Sequence, residues 1–145
     1  MALAIAVFAM VVIGGIVSGN FLAGLLEQQS GRNTLFVSQA AEAAEAGLRT
    51  TLATMPADSL ATLEIGGVAL DLGSVPFSPG TGMDRQVSRL TDNLFLIRTR
   101  GTRFDADGSP LATRSMGLLV ELITDSIRGV DTVVPLSQRA WVQLY

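Results

Sequence analysis

Hydrophobic and polar positions divide this chain into three stretches. Residues 1–26 contain no Asp, Glu, Lys or Arg, and Ser18 and Asn20 are their only polar side chains. As a helix rising 1.5 Å per residue, that stretch measures about 39 Å, more than the ~30 Å hydrocarbon core of a bilayer. Glu27 is the first charge, and from there to Met55 the pattern becomes amphipathic. Val37, Ala41, Ala44, Leu48, Leu52 and Met55 recur at helical spacing and predict one apolar stripe. Glu42, Glu45 and Arg49 lie off it, Glu45 and Arg49 in the favourable i, i+4 order. Pro56 disfavours helix at the residue before it and closes the element near Thr54. If residues 1–54 form one helix it measures roughly 80 Å. A small domain does not need that length for its own core, so the apolar half is expected to contact something else.

After Pro56 the texture changes to short apolar runs broken by Gly, Pro and Asp. Residues 62–65 and 68–72 flank Gly66-Gly67 and predict a hairpin. Residues 73–84, rich in Gly and Pro, predict a loop. Residues 86–90 and 93–100 predict strands, the second with Leu94, Phe95, Leu96 and Ile97 suggesting burial on both faces. Asp105-Ala106-Asp107-Gly108-Ser109 predicts a tight turn, and residues 111–124 the longest strand. Residues 140–145 predict a last strand in which Trp141 anchors one face and Val142 the other. The expected fold class is α+β, a long N-terminal helix with a small antiparallel β-sheet head of four or five strands laid on the helical stripe. Its domains are 1–26 (apolar helix), 27–55 (amphipathic half of the same helix) and 56–145 (β-rich head).

Composition narrows the function classes. Hydrophobic residues make up 48% and charged residues 16% of the 145, too apolar for an ordinary soluble domain, and the surplus sits in the first stretch. The net charge is −3, and all ten basic residues are Arg, scattered from Arg32 to Arg139 without a basic patch, so no nucleic-acid partner is expected. Without Cys or His, no disulfide, thiolate or imidazole chemistry is available.

For residues 1–26, a secretory signal peptide is disfavoured because no basic residue precedes the apolar run and the run is too long. A plain membrane anchor fits its length but lacks flanking Lys, Arg, Trp or Tyr before Glu27. A helix that occupies a bilayer first and a protein bundle later accounts best for the small residues placed between Val, Ile, Leu and Phe. Gly15 and Gly19 form a small-xxx-small pair that lets helices approach closely. The candidate bundle core is Met1, Leu3, Ile5, Val7, Phe8, Val11, Val12, Ile13, Ile16, Val17, Phe21, Leu22 and Leu25. Gly14, Gly15, Gly19, Asn20 and Gly24 mark where the helix is expected to melt in an assembly, each Gly costing about 1 kcal/mol of helix relative to Ala.

Candidate chemistry is sparse. Asp105, Asp107 and Ser109 resemble part of a calcium loop, but Met116 stands where the closing bidentate Glu is required, so a hairpin turn is the better reading. Gly80-Thr81-Gly82 lacks the Lys and following helix of a phosphate cradle. No Ser-His-Asp triad is possible and no carboxylate pair stands out, so neither a cofactor nor catalysis is expected.

The apolar start MALAIAVFAMVVIGGIVSG, the polar shift at Glu27-Gln28-Gln29 and the stretch SQAAEAAEAGL (38–48) resemble the type IV pilin superfamily, within it the PilX-like minor-pilin and pseudopilin group. The resemblance covers the first 50 residues, and the head only by class. It implies a mature chain from which a prepilin peptidase has removed a basic leader, with Met1 methylated. In the family's major subunits a Glu at the fifth mature position pairs with a neighbour's N-terminal amine. Here that position is Ile5, which implies a tip or initiating role, or a main subunit that satisfies the amine differently.

The expected function is therefore that of a structural filament subunit. It would be held in a bacterial inner membrane before assembly and displayed outside the cell afterwards, its partners being further copies of itself or other pilins. A pseudopilin of a type II secretion system shares the architecture. A membrane-anchored surface-binding module, with residues 73–84 as its contact loop, is the reading from another class.

Overall fold

The computed structural model describes residues 2–125, 130–137 and 140–144, and divides the chain into two compact units, Met1–Leu35 and Phe36–Tyr145. Helix α1 spans Ala2–Thr54 and contributes to both. It ends where the sequence predicts: Met55 N still donates to the Thr51 carbonyl at 3.0 Å, and Pro56 then turns extended at φ −69°, ψ 139°. A short helix α2, Ala57–Ala61, follows and buries Leu60 completely.

The head is an antiparallel sheet of six strands, β1 (Leu70–Ser78), β2 (Thr81–Arg89), β3 (Leu94–Phe104), β4 (Pro110–Asp125), β5 (Val130–Pro135) and β6 (Trp141–Leu144). The order runs β1-β2-β3-β4-β5, with β6 also on β4. Strand β4 is long enough to serve both late strands. It pairs with β6 through residues 115–118 and with β5 through residues 120–125. β5 is a strand the sequence pattern did not single out.

Alternation along β3 decides which face is the core. Phe95, Ile97, Thr99 and Gly101 are buried, while on the other face Leu94 and Leu96 are half-buried and Arg98 and Arg100 exposed, so one face carries the core and the other is only partly covered. Phe95 and Ile97 join Leu48, Leu60, Val87, Leu118, Val120 and Ala140 in one cluster. The helical stripe is rotated from the predicted one. Ala40, Ala43, Ala44, Gly47, Leu48 and Thr51 are buried, whereas Val37 and Ala41 are only half-buried. Small residues win the interface because the sheet comes close: a Cβ on Gly47 would overlap the Thr99 methyl and press on Met83 Sδ at 3.2 Å.

Two further expectations are corrected. Residues 73–84 form a hairpin, with Ser78 and Thr81 paired across Pro79-Gly80. Gly80 at φ +71° after Pro79 supplies the positive-φ position of a type II turn, and the 73–84 contact loop of the binding-module reading is therefore sheet. Gly66-Gly67 joins no hairpin. Ile65 instead makes an isolated parallel bridge with Arg89, and Gly66 N donates to the Arg89 carbonyl at 3.0 Å.

The Arg89 side chain holds this corner. Its Nη1 donates to the Ala61 and Leu63 carbonyls at 3.1 and 2.9 Å, its Nη2 to Asp92 O at 2.7 Å and its Nε to Thr91 O at 3.2 Å. The guanidinium also lies 5.6 Å from the Phe95 ring centroid. One cation thus ties the α2 exit to the β2–β3 turn and covers the core aromatic.

Candidate functional site

Unit Met1–Leu35 carries its apolar side chains outward on every side. The candidate core residues from Leu3 to Leu25 are all exposed, Leu3 at 81%, Phe8 at 70% and Phe21 at 71% among them. Met1 lies outside the described residues. A helix apolar around its full circumference belongs in a bilayer or inside a protein, since water leaves all that surface unfavourably hydrated. This helix is long and apolar enough to cross a membrane.

Within it, Gly14, Gly15, Gly19, Asn20 and Gly24 are all helical, so the single chain holds a continuous helix where melting is expected on assembly. Positions four apart share a helix face, which places Gly15 with Gly19 and Gly14 with Ser18. A Cβ at Gly14, Gly15, Gly19 or Gly24 would meet nothing within 4 Å. These glycines are not required by packing inside the chain.

In the head, Asp105, Asp107 and Ser109 build the β3–β4 turn. Asp105 N donates to Ser109 O at 2.8 Å, Gly108 N to Asp105 O at 3.1 Å, and Ala106 N to Asp105 Oδ1 at 2.6 Å. Gly108 takes φ +79°. The backbone bonds close the turn, and the Asp105 carboxylate accepts from the amide of the next residue. No group of three acidic side chains that could hold a metal ion occurs among the described residues.

The outer face of the sheet carries a polar cleft of about 230 Å³ lined by Asp71, Ser74, Asp84, Gln86, Arg98 and Arg100. Register places Asp84 opposite Arg100 and Gln86 opposite Arg98. Two acids and two guanidiniums leave it electrically balanced, an arrangement for holding polar groups and keeping the outer face wet. Sequence reasoning missed this cleft because its residues are far apart in sequence and meet only through strand register.

Trp141 is 55% exposed although it pairs with buried Leu118. The buried residue at this point is Ala140, so Trp141 does not anchor the core as expected. Comparison of the chain with protein-family models, with curated proteins and with solved structures finds no match.

Proposed function

We propose that this chain is a structural subunit of an extracellular type IV pilus-like filament, held in a bacterial inner membrane until its N-terminal helix packs with those of other copies or of other pilins. The observation that carries this reading is the contrast between the two units. Residues 36–145 have a core of their own, while the large apolar side chains of residues 2–26 are exposed among the described residues. Removing that surface from water, worth about 25 cal/mol per Å², favours residence in the bilayer, and transfer into a bundle then rests on close packing between helices.

The role is structural and not catalytic, and it needs no cofactor. The resemblance of the first 50 residues to type IV pilins supports the same reading.

The test is electron microscopy of material sheared from cells that express the chain, with mass spectrometry of the N-terminus. Filaments containing the chain with a methylated mature N-terminus are the expected result. Val12→Asp or Ile13→Asp is expected to abolish them. Filaments of ordinary abundance from either Asp variant overturn the packing reading. A monomeric membrane protein with no filament favours an anchored binding module.

A further inference from the structure

We infer that the head carries a second, ligand-binding site: a pocket beside the C-terminal end of α1 that takes a small monocarboxylate with an apolar tail. The inference is independent of filament assembly. The pocket, of about 230 Å³, is lined by Thr54, Met55, Pro56, Ser59, Leu70, Leu72 and Arg85. Four of these walls are apolar, and the only charged group among them is the Arg85 guanidinium.

Arg85 is a cation without a counter-ion. Among the described residues no carboxylate lies within ion-pair distance of it, the ion pair found there joining Arg49 to Glu45. Asp84, next to it on β2, points to the opposite face and lines the outer cleft. Asp58 precedes Ser59 but is exposed and does not line the pocket. Nη2 of Arg85 donates to Leu72 O at 3.2 Å, while its Nε is buried with no acceptor. The cross-strand neighbour Thr99 is fully buried, and its hydroxyl also has no partner. A partly buried guanidinium held by a single carbonyl has donor capacity to spare, and a carboxylate is the acceptor that matches its planar fork in charge and shape.

The walls set the rest of the ligand. Met55, Leu70 and Leu72 offer apolar surface, and Met adapts its shape to what it meets. A cavity of about 150 Å³ accommodates benzene, so this one suits a molecule of roughly eight or nine heavy atoms. Hexanoate has that size, with its carboxylate on Arg85 and its tail against Leu70 and Leu72. The Ser59 hydroxyl lines the same pocket and can donate to the second carboxylate oxygen, whereas the Thr54 hydroxyl already donates to Thr50 O at 2.8 Å.

The experiment titrates hexanoate, and separately hexanol, into the full chain in nonionic-detergent micelles while recording methyl resonances of Met55, Leu70 and Leu72. Hexanoate is expected to give saturable shifts at these methyls, with hexanol at least tenfold weaker. That comparison needs no variant. Equal response to the two ligands, or hexanoate shifts spread over the head and not confined to these methyls, overturns the inference. Arg85→Met is expected to weaken hexanoate at least tenfold and leave hexanol unchanged, provided the Ile97 and Leu118 methyls keep their native dispersion. Should that variant lose the fold, Ser59→Leu, which adds bulk to the pocket wall and keeps the cation, is expected to abolish the hexanoate shifts. Unaltered hexanoate binding by a folded Arg85→Met or by Ser59→Leu also overturns it.

Discussion

Gly101 on β3 lies directly against the backbone of Ala40 on α1. A Cβ at Gly101 would sit within 2.5 Å of the Ala44 amide nitrogen and still closer to the Ala40 carbonyl oxygen, so neither side can yield by rotating a side chain. The sheet therefore touches the helix backbone to backbone, and the residues that line this contact are small by necessity. Gly101→Ala is expected to destabilise the head by about 2–3 kcal/mol, in the upper range for overpacking, because backbone must move. Gly47→Ala meets the Thr99 methyl instead and is expected to cost less. Urea titrations of the full chain in detergent, followed by Trp141 fluorescence, compare the two. Equal midpoints for Gly101→Ala and the wild type would contradict the close contact.

The same contact explains what could and could not be read from the sequence. The helix end at Thr54, the Asp105–Ser109 turn, β4 and β6 are legible because each rests on local chemistry: a proline, an Asp- and Gly-rich turn, an apolar run. The predicted stripe holds the buried Ala44 and Leu48 but leaves out Ala40, Ala43 and Gly47, whose small size lets the sheet approach and carries no signal in hydrophobic periodicity. Residues 73–84 read as loop because Gly and Pro usually break strands. Here Pro76 lies in β1, at the edge of the sheet where a missing N–H is tolerated, and Gly73 at φ +78° falls at a register shift in the β1–β2 ladder. The Arg85 pocket and the outer cleft were illegible, since strand register brings their residues together.

Arg89 gives a sharper test of how the head is closed. Its guanidinium donates to four carbonyls that belong to two separate segments. Arg89→Met keeps much of the apolar stem over Phe95 but leaves those carbonyls without their donor. The expected loss is about 2–4 kcal/mol, since several charge-assisted bonds go together. Amide exchange should rise first at Gly66 and around residues 90–94, with β4 protected longer. Uniform loss of protection across the sheet would show that Arg89 does not act on that corner alone.

Two glycines in turns separate backbone strain from steric conflict. Gly80 and Gly108 both have positive φ, +71° and +79°. A Cβ at Gly108 meets nothing within 4 Å, whereas at Gly80 it would overlap the Arg103 guanidinium, whose Nη1 donates to Pro79 O at 2.8 Å. Gly108→Ala is expected to cost only the left-handed strain, about 1 kcal/mol. Gly80→Ala should cost about 1 kcal/mol more, through the lost Arg103 bond. Thermal unfolding of both variants checks the order, and a Gly108→Ala loss equal to or larger than that of Gly80→Ala would refute it.

The glycines of the apolar helix act by a different logic, because nothing among the described residues occupies the space a side chain would take there. Gly14→Ala, Gly15→Ala and Gly19→Ala each favour helix by about 1 kcal/mol, so the triple variant should leave the membrane-inserted chain at least as helical and the head unchanged. If filament growth requires residues 14–24 to melt, the triple variant works against it by roughly 3 kcal/mol per subunit, on the order of a hundredfold in the assembly equilibrium. If close helix approach alone matters, Ala is small enough to preserve much of it, while Gly15→Leu blocks it. The expected outcome is strong loss of filaments with the triple Ala variant at unchanged membrane abundance, measured by quantitative blotting of sheared and membrane fractions. Filament yield that survives the triple Ala variant but not Gly15→Leu would assign these positions to packing, with the helix continuous through the assembled state.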